Sequence, residues 1–170
     1  MSNDGPFARN QDIGQLTWEP LFQLEVEVDY DNAVHVPGSP DGGRSLFPIT
    51  GGSFTGDHIR GEVLPGGCDW VHRRSNSDGA FLIDVRLMMR TTDGEVIAME
   101  YRGMSWADPP TMDRFLRRNP LDFHEVYGRT AVRFQTDADG SYGWLNHTIA
   151  VANGMRRPGT GPLYHVFAIT

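Results

Sequence analysis

The sequence predicts a mainly β, antiparallel domain, closed as a barrel or stacked as a sandwich. Three observations carry that expectation: apolar and polar residues alternate in short runs, turn residues separate the runs, and helix is nearly absent. The chain has 170 residues, enough for one domain with a real core. Its 20 glycines and 11 prolines supply the punctuation between strands.

The clearest strand is Leu21 to Val28, where Phe22, Leu24, Val26 and Val28 alternate with Gln23, Glu25 and Glu27. Asn32 to Gly43 is rich in Pro, Gly and Asp and reads as a long loop over one end of the sheet. Further strands are expected at Arg44 to Thr50, Ser53 to Leu64, Trp70 to Arg74 and Ala80 to Thr91. Gly51-Gly52, Pro65-Gly66-Gly67 and Ser77-Asp78-Gly79 are read as the breaks between them. Thr92-Asp93-Gly94 is the strongest hairpin signal, because Asp-Gly suits the positive φ of a tight reversal, and it should join Ala80–Thr91 to Glu95–Met104. Thr111 to Arg118, between Asp108-Pro109-Pro110 and Asn119-Pro120, is the one short connecting helix. Strands at Arg129 to Thr136, Trp144 to Ala152 and Leu163 to Ile169 complete the chain, with a loop from Gly154 to Gly161.

The net charge of −7 opposes a general nucleic-acid role, since phosphate binding needs a basic face. The arginines are dispersed, which suits internal partners or a carboxylate-bearing ligand better than a phosphate track. A single cysteine, Cys68, excludes an intramolecular disulfide and fits a cytoplasmic location. With no CxxC, HExxH or phosphate-loop pattern, neither metal nor nucleotide cofactor is expected. No apolar run is long enough to cross a bilayer. Residues 1–18 read as a polar tail without the apolar core of a signal peptide, and 19–170 as the barrel domain.

Candidate chemistry comes from the strand faces. On Ala80–Thr91, Phe81, Ile83, Val85, Leu87 and Met89 share one face, while Asp84 and Arg86 share the other with Leu82, Met88 and Arg90. That mixed face is either solvent-exposed, with Asp84 and Arg86 a surface pair, or directed at a polar ligand in a lumen. On the next strand Tyr101 lies with Ile97 and Met99, opposite Glu100 and Arg102. Trp144 and Asn146 share a face, as pocket wall or as ordinary core. Asp69, Asp84 and Arg86 are the candidate catalytic residues. Arg129, Asn146, Trp144, Tyr101 and Tyr142 are the candidate substrate contacts. Asp69, Asp84, Arg86, Arg129 and Asn146 are expected to surround one polar patch, because a closed barrel brings distant strands around a single lumen.

The stretch Arg44-Ser45-Leu46-Phe47-Pro48-Ile49-Thr50-Gly51-Gly52-Ser53-Phe54-Thr55-Gly56, followed by Ile59 to Trp70 with Pro65-Gly66-Gly67-Cys68-Asp69-Trp70, resembles the family known as domain of unknown function 3237. Asp84-Val85-Arg86, Thr92-Asp93-Gly94, Arg129 to Thr136 and Tyr142-Gly143-Trp144-Leu145-Asn146 look like its later blocks in order, so the resemblance spans Leu21 to Ile169. It implies a calycin-like β-barrel with a central cavity and leaves the reaction open. Two functions are therefore carried forward. One is a cofactor-independent lyase, hydratase, isomerase or cyclase acting on a carbonyl, phenolic or polyketide-like compound. The other is a non-catalytic barrel that binds or carries a small organic ligand. Self-association stays open.

Overall fold

The computed structural model describes residues 15–40, 42–74, 79–156 and 161–170. The strands are β1 (Trp18–Val28), β2 (Val34–Val36), β3 (Arg44–Thr55), β4 (Arg60–Arg73), β5 (Phe81–Thr91), β6 (Val96–Trp106), β7 (Tyr127–Thr136), β8 (Ala150–Arg156) and β9 (Pro162–Ile169). Helix α1 (Pro109–Leu116) follows β6, and a 3₁₀ helix at Gly143–His147 precedes β8. The sheet runs β1-β9-β8-β7-β6-β5-β4-β3, and β3 pairs again with β1, so eight antiparallel strands close on themselves while β2 lies along the start of β3. Closure removes the exposed edges that an open sheet of this size would present.

The expected β5–β6 hairpin forms with an unbroken register, from Phe81↔Ser105 to Arg90↔Val96. Gly94 sits at φ +97° in the turn and donates to the Thr91 carbonyl at 2.9 Å. The first breaks differ from expectation. Gly51-Gly52 lies inside β3 and Pro65-Gly66-Gly67 inside β4, each at a bulge, and the expected strand Ser53–Leu64 is split: its start continues β3 and its end begins β4. The register shifts between Pro48 and Ser53 and again between Leu64 and Cys68. Such bulges bend a strand and raise its twist, which suits a small closed barrel. The true reversal is at Gly56, whose N–H donates to Ile59 O at 2.8 Å. Trp144–Ala152 is not one strand either. Its first half is the 3₁₀ helix, since the Asn146 side chain takes both backbone groups of Thr136 and so diverts the chain from extended pairing. The Asn32–Gly43 loop carries β2, and β1 begins at the last residue of the expected tail. Residues 1–14 of that tail, 75–78 of the Ser77-Asp78-Gly79 turn and 157–160 of the Gly154–Gly161 loop lie outside the described residues.

The interior divides in two along the barrel axis. One half is solid: Phe22, Leu24, Val26, Phe54, Leu87, Met89, Ile97, Met99, Phe134 and Val166 form a buried core into which Leu145 of the 3₁₀ helix packs. The inward residues of the other half face a cavity. There α1 lies against the barrel through Met112, which packs with Ala107 and Val126, and its Phe115 meets Phe81 of β5. Asp108 caps α1 by accepting from Thr111 N at 3.0 Å, with Pro109 and Pro110 in the first turn, where a missing N–H costs nothing.

Candidate functional site

The cavity has a volume of about 230 Å³, below the usual drug-sized range, so it suits a compact ligand. Its wall is largely aromatic and aliphatic: Phe47 from β3, Val71 from β4, Phe81 and Ile83 from β5, Phe115 from α1, and Pro162 from β9. Tyr30 and His35 each meet Phe47 edge-on, with ring centroids 5.7 and 5.9 Å apart, and both line the cavity. Gly154 of β8 lines it too, and a larger residue there would have to displace the Tyr164 ring, since a Cβ would fall 2.8 Å from Cε1 of Tyr164.

The polar groups gather where cavity meets core. Phe47, Asp69, Val85, Tyr101, Val132 and Ala150 are successive register partners around the wall, so they form one rung with side chains directed inward. That rung brings Asp69 and Tyr101 to the same depth from strands two apart. Asp69 lines the cavity and its Oδ1 is buried. Tyr101 is 2% exposed, and its ring centroid is 5.1 Å from that of Tyr164. Burial first, then the nearby ionisable groups of Tyr164 and Asp69, a hydrogen bond with Tyr164, and Tyr30, hold the Tyr101 hydroxyl well above the usual tyrosine range. It therefore stays protonated, as a hydrogen-bond donor, throughout the neutral range. Ser105 and Thr130 add inward hydroxyls that are 6% and 3% exposed.

The five-residue patch expected from sequence does not form. Asp84 faces outward and accepts from Arg102 Nε at 3.0 Å, and Arg86 is exposed on the same outer face. The reason is parity: Val85 and Leu87 occupy the interior, so their neighbours along the strand point to solvent. Arg129 also points outward, its guanidinium 5.0 Å from the Tyr127 ring and its Nη1 donating to Gly128 O at 2.9 Å. Asn146 is a structural clamp on Thr136, accepting at 2.9 Å and donating at 3.1 Å. Trp144 is 46% exposed, and Tyr142 donates to Asp93 Oδ2 at 3.2 Å beside the β5–β6 turn. Of the eight candidates, the structure brings Asp69 and Tyr101 together.

Sequence reasoning missed Tyr30, Tyr164 and Arg118. Tyr164 was legible as the inward partner of Val166 and Ala168, had the alternation of the last strand been followed from its smaller residues. Tyr30 and Arg118 lie outside strands, where no alternation marks direction. Among the described residues, no group of three or more His, Cys, Asp or Glu stands together to hold a metal ion, and no helix is long and apolar enough to cross a membrane.

A closed antiparallel barrel, solid at one end and hollow at the other, defines the class: a small β-barrel protein with an internal cavity. The chain belongs to the family described as "Protein of unknown function (DUF3237)", whose model matches residues 16–169. It is 34% identical over 117 residues to the UPF0311 protein blr7842 of Bradyrhizobium diazoefficiens, a match covering 68% of this chain and 73% of that protein. A β-barrel-like protein from Acinetobacter baumannii superposes with a TM-score of 0.77 at 28% identity, covering 95% of this chain and 100% of the other. A protein described as an enzyme from Penicillium herquei superposes with a TM-score of 0.67 at 21% identity, covering 95% and 100% of the two chains, a likeness of fold alone.

Proposed function

We propose that this protein is a cofactor-independent enzyme that moves a proton on a compact carbonyl, phenolic or polyketide-like compound held in the barrel cavity. The observation that carries the reading is that Asp69 and Tyr164 line a largely apolar cavity, with the buried Tyr101 directly behind Tyr164. Buried ionisable groups converging on one lumen are costly for folding and useful for acid/base chemistry. A filled or purely apolar interior would have served stability better.

In this mechanism the Asp69 carboxylate accepts a proton from an acidic O–H, or from a C–H beside a carbonyl. The electron pair left behind settles on the substrate oxygen. The Tyr164 hydroxyl, which lines the cavity, donates to that oxyanion, and Tyr101, kept protonated by burial, holds Tyr164 in place through their hydrogen bond. Returning the proton to a different atom completes an isomerisation, and ring closure or loss of a leaving group from the same enolate gives a cyclase or lyase. The aromatic wall holds a planar substrate and excludes water.

The test does not require the natural substrate. Wild-type protein in D₂O should accelerate deuterium uptake at the acidic C–H of a small aryl ketone, followed by proton NMR. Asp69→Asn should reduce that acceleration by about a hundredfold or more, the scale of a lost general base. Exchange in both proteins no faster than without protein, with saturable binding retained, would identify a carrier instead.

A further inference from the structure

The C-terminal turn of α1 holds a residue in a conformation that its type disfavours. Asn119 N donates to Arg114 O at 3.0 Å and Arg118 N donates to Phe115 O at 3.1 Å, the two bonds of a Schellman turn. The residue at the centre of such a turn is usually glycine, because it must adopt the left-handed region. Here it is Arg118, at φ +60°, the one non-glycine residue with positive φ among the described residues. Glycine would satisfy the turn without strain. The backbone therefore gives no reason for an arginine at this position, and the side chain has to supply it.

That side chain lies at the cavity. Arg118 is among the residues that line it, and its guanidinium carbon is 4.3 Å from the centroid of Tyr30, another lining residue. Stacking on an aromatic face fixes the plane of the guanidinium and leaves its edge N–H groups for a partner. None of the ion pairs among the described residues includes Arg118, whereas Arg114, one turn earlier, is paired with Glu125 at 2.6 Å. Apart from His35, it is the basic residue of the lining. Arg73 is nearby, 5.8 Å from the Phe81 ring, without lining the cavity itself.

We propose that Arg118 reads a carboxylate on the ligand, so that the cavity takes compact aryl or conjugated carboxylic acids with the anionic group at its mouth and the ring inside. The inference deepens the enzyme reading given above and rests on the same cavity. A planar monoanion fits one guanidinium edge-on. A phosphate dianion fits less well, because one cation does not balance it and Asp69 adds negative charge further in.

The experiment is calorimetric titration with 2-naphthoate, its neutral isostere 2-naphthamide, and 2-naphthyl phosphate. The wild type should bind the carboxylate about tenfold more tightly than the amide, a preference on the scale of a partly solvated charge-assisted pair. Arg118→Gln should abolish the preference while leaving amide affinity within about twofold. Arg118→Gly fits the left-handed turn without strain, so it removes the guanidinium with the fold intact and should behave like the glutamine variant. Loss of affinity for both probes alike, an unchanged preference, no saturable binding of the carboxylate, or tighter binding of the phosphate would each overturn the proposal. Asp69→Asn separates the two claims: it should lose deuterium exchange and keep the carboxylate preference. If wild-type protein shows the Arg118-dependent preference without exchange, the carboxylate assignment stands and the enzyme reading fails.

Discussion

Asp69 and Tyr101 come to the same depth because both occupy inward positions of one rung, and burial at that depth keeps Tyr101 protonated. The Tyr101 hydroxyl is held above the usual tyrosine value by burial and by the ionisable groups of Tyr164 and Asp69. In the unfolded chain Tyr101 loses its proton near pH 10, while in the folded chain it keeps that proton to higher pH. Above that point the unfolded state binds fewer protons than the native state, so stability falls as pH rises toward the folded value. Below it the contribution is fully present. Urea unfolding at about pH 9 and about pH 11 should show this loss, near 1.4 kcal/mol per pH unit for one proton, and Tyr101→Phe should remove that share of the slope. An identical alkaline slope in the variant would show that Tyr101 is not the group responsible.

At the scale of the element, the 3₁₀ helix at Gly143–His147 works as a plug hung from β7. Leu145 is fully buried in the solid half of the core, and Asn146 secures the segment through both backbone groups of Thr136. Asn146→Ala breaks both bonds and should destabilise the fold by about 1–3 kcal/mol. Scanning calorimetry would register this as a Tm lower by roughly 2–4 °C per kcal/mol. Because the clamp is remote from the cavity lining, naphthoate affinity should be unchanged. A loss of binding at full stability would instead return Asn146 to the site. Expectation failed here for a definable reason. Alternation in Trp144-Leu145-Asn146-His147 is the same in a strand as in a short irregular plug, and the deciding bonds are made to a strand that ends ten residues earlier.

At the scale of the molecule, β1 is the seam. It pairs with β9 on one side and β3 on the other, and Leu24 sits between Tyr164 and Phe54 across those two ladders. It is 0% exposed. Leu24→Ala should cost about 2–5 kcal/mol, since a closed barrel cannot collapse freely into the space left by the side chain. Urea titration measures that cost directly. The same variant removes a neighbour of Tyr164, so it should also weaken ligand binding, which Asn146→Ala leaves alone. Equal binding in the two variants would show that the solid half and the cavity are mechanically independent.

What was legible in the chain was periodic or local. Alternation marked the inward face of β1 and which residues share a face on β5 and β6, Asp93-Gly94 marked the reversal between β5 and β6, and Asp108 with Pro109 and Pro110 marked the start of the one α-helix. These signals depend on each residue's immediate neighbours, so a linear reading recovers them. The breaks at Gly51-Gly52 and Pro65-Gly66-Gly67 were misread because a bulge and a turn use the same residues, and only pairing with an adjacent strand distinguishes them. The site was less legible for the same physical reason. Alternation shows which residues share a face, but which face turns inward on a mixed strand such as β5 is settled by closure of the barrel. Closure sent Asp84 and Arg86 to the surface, carried Asp69 and Tyr101 to one depth, and gathered Tyr30, Tyr164 and Arg118 around the same cavity from loops and strands remote in sequence.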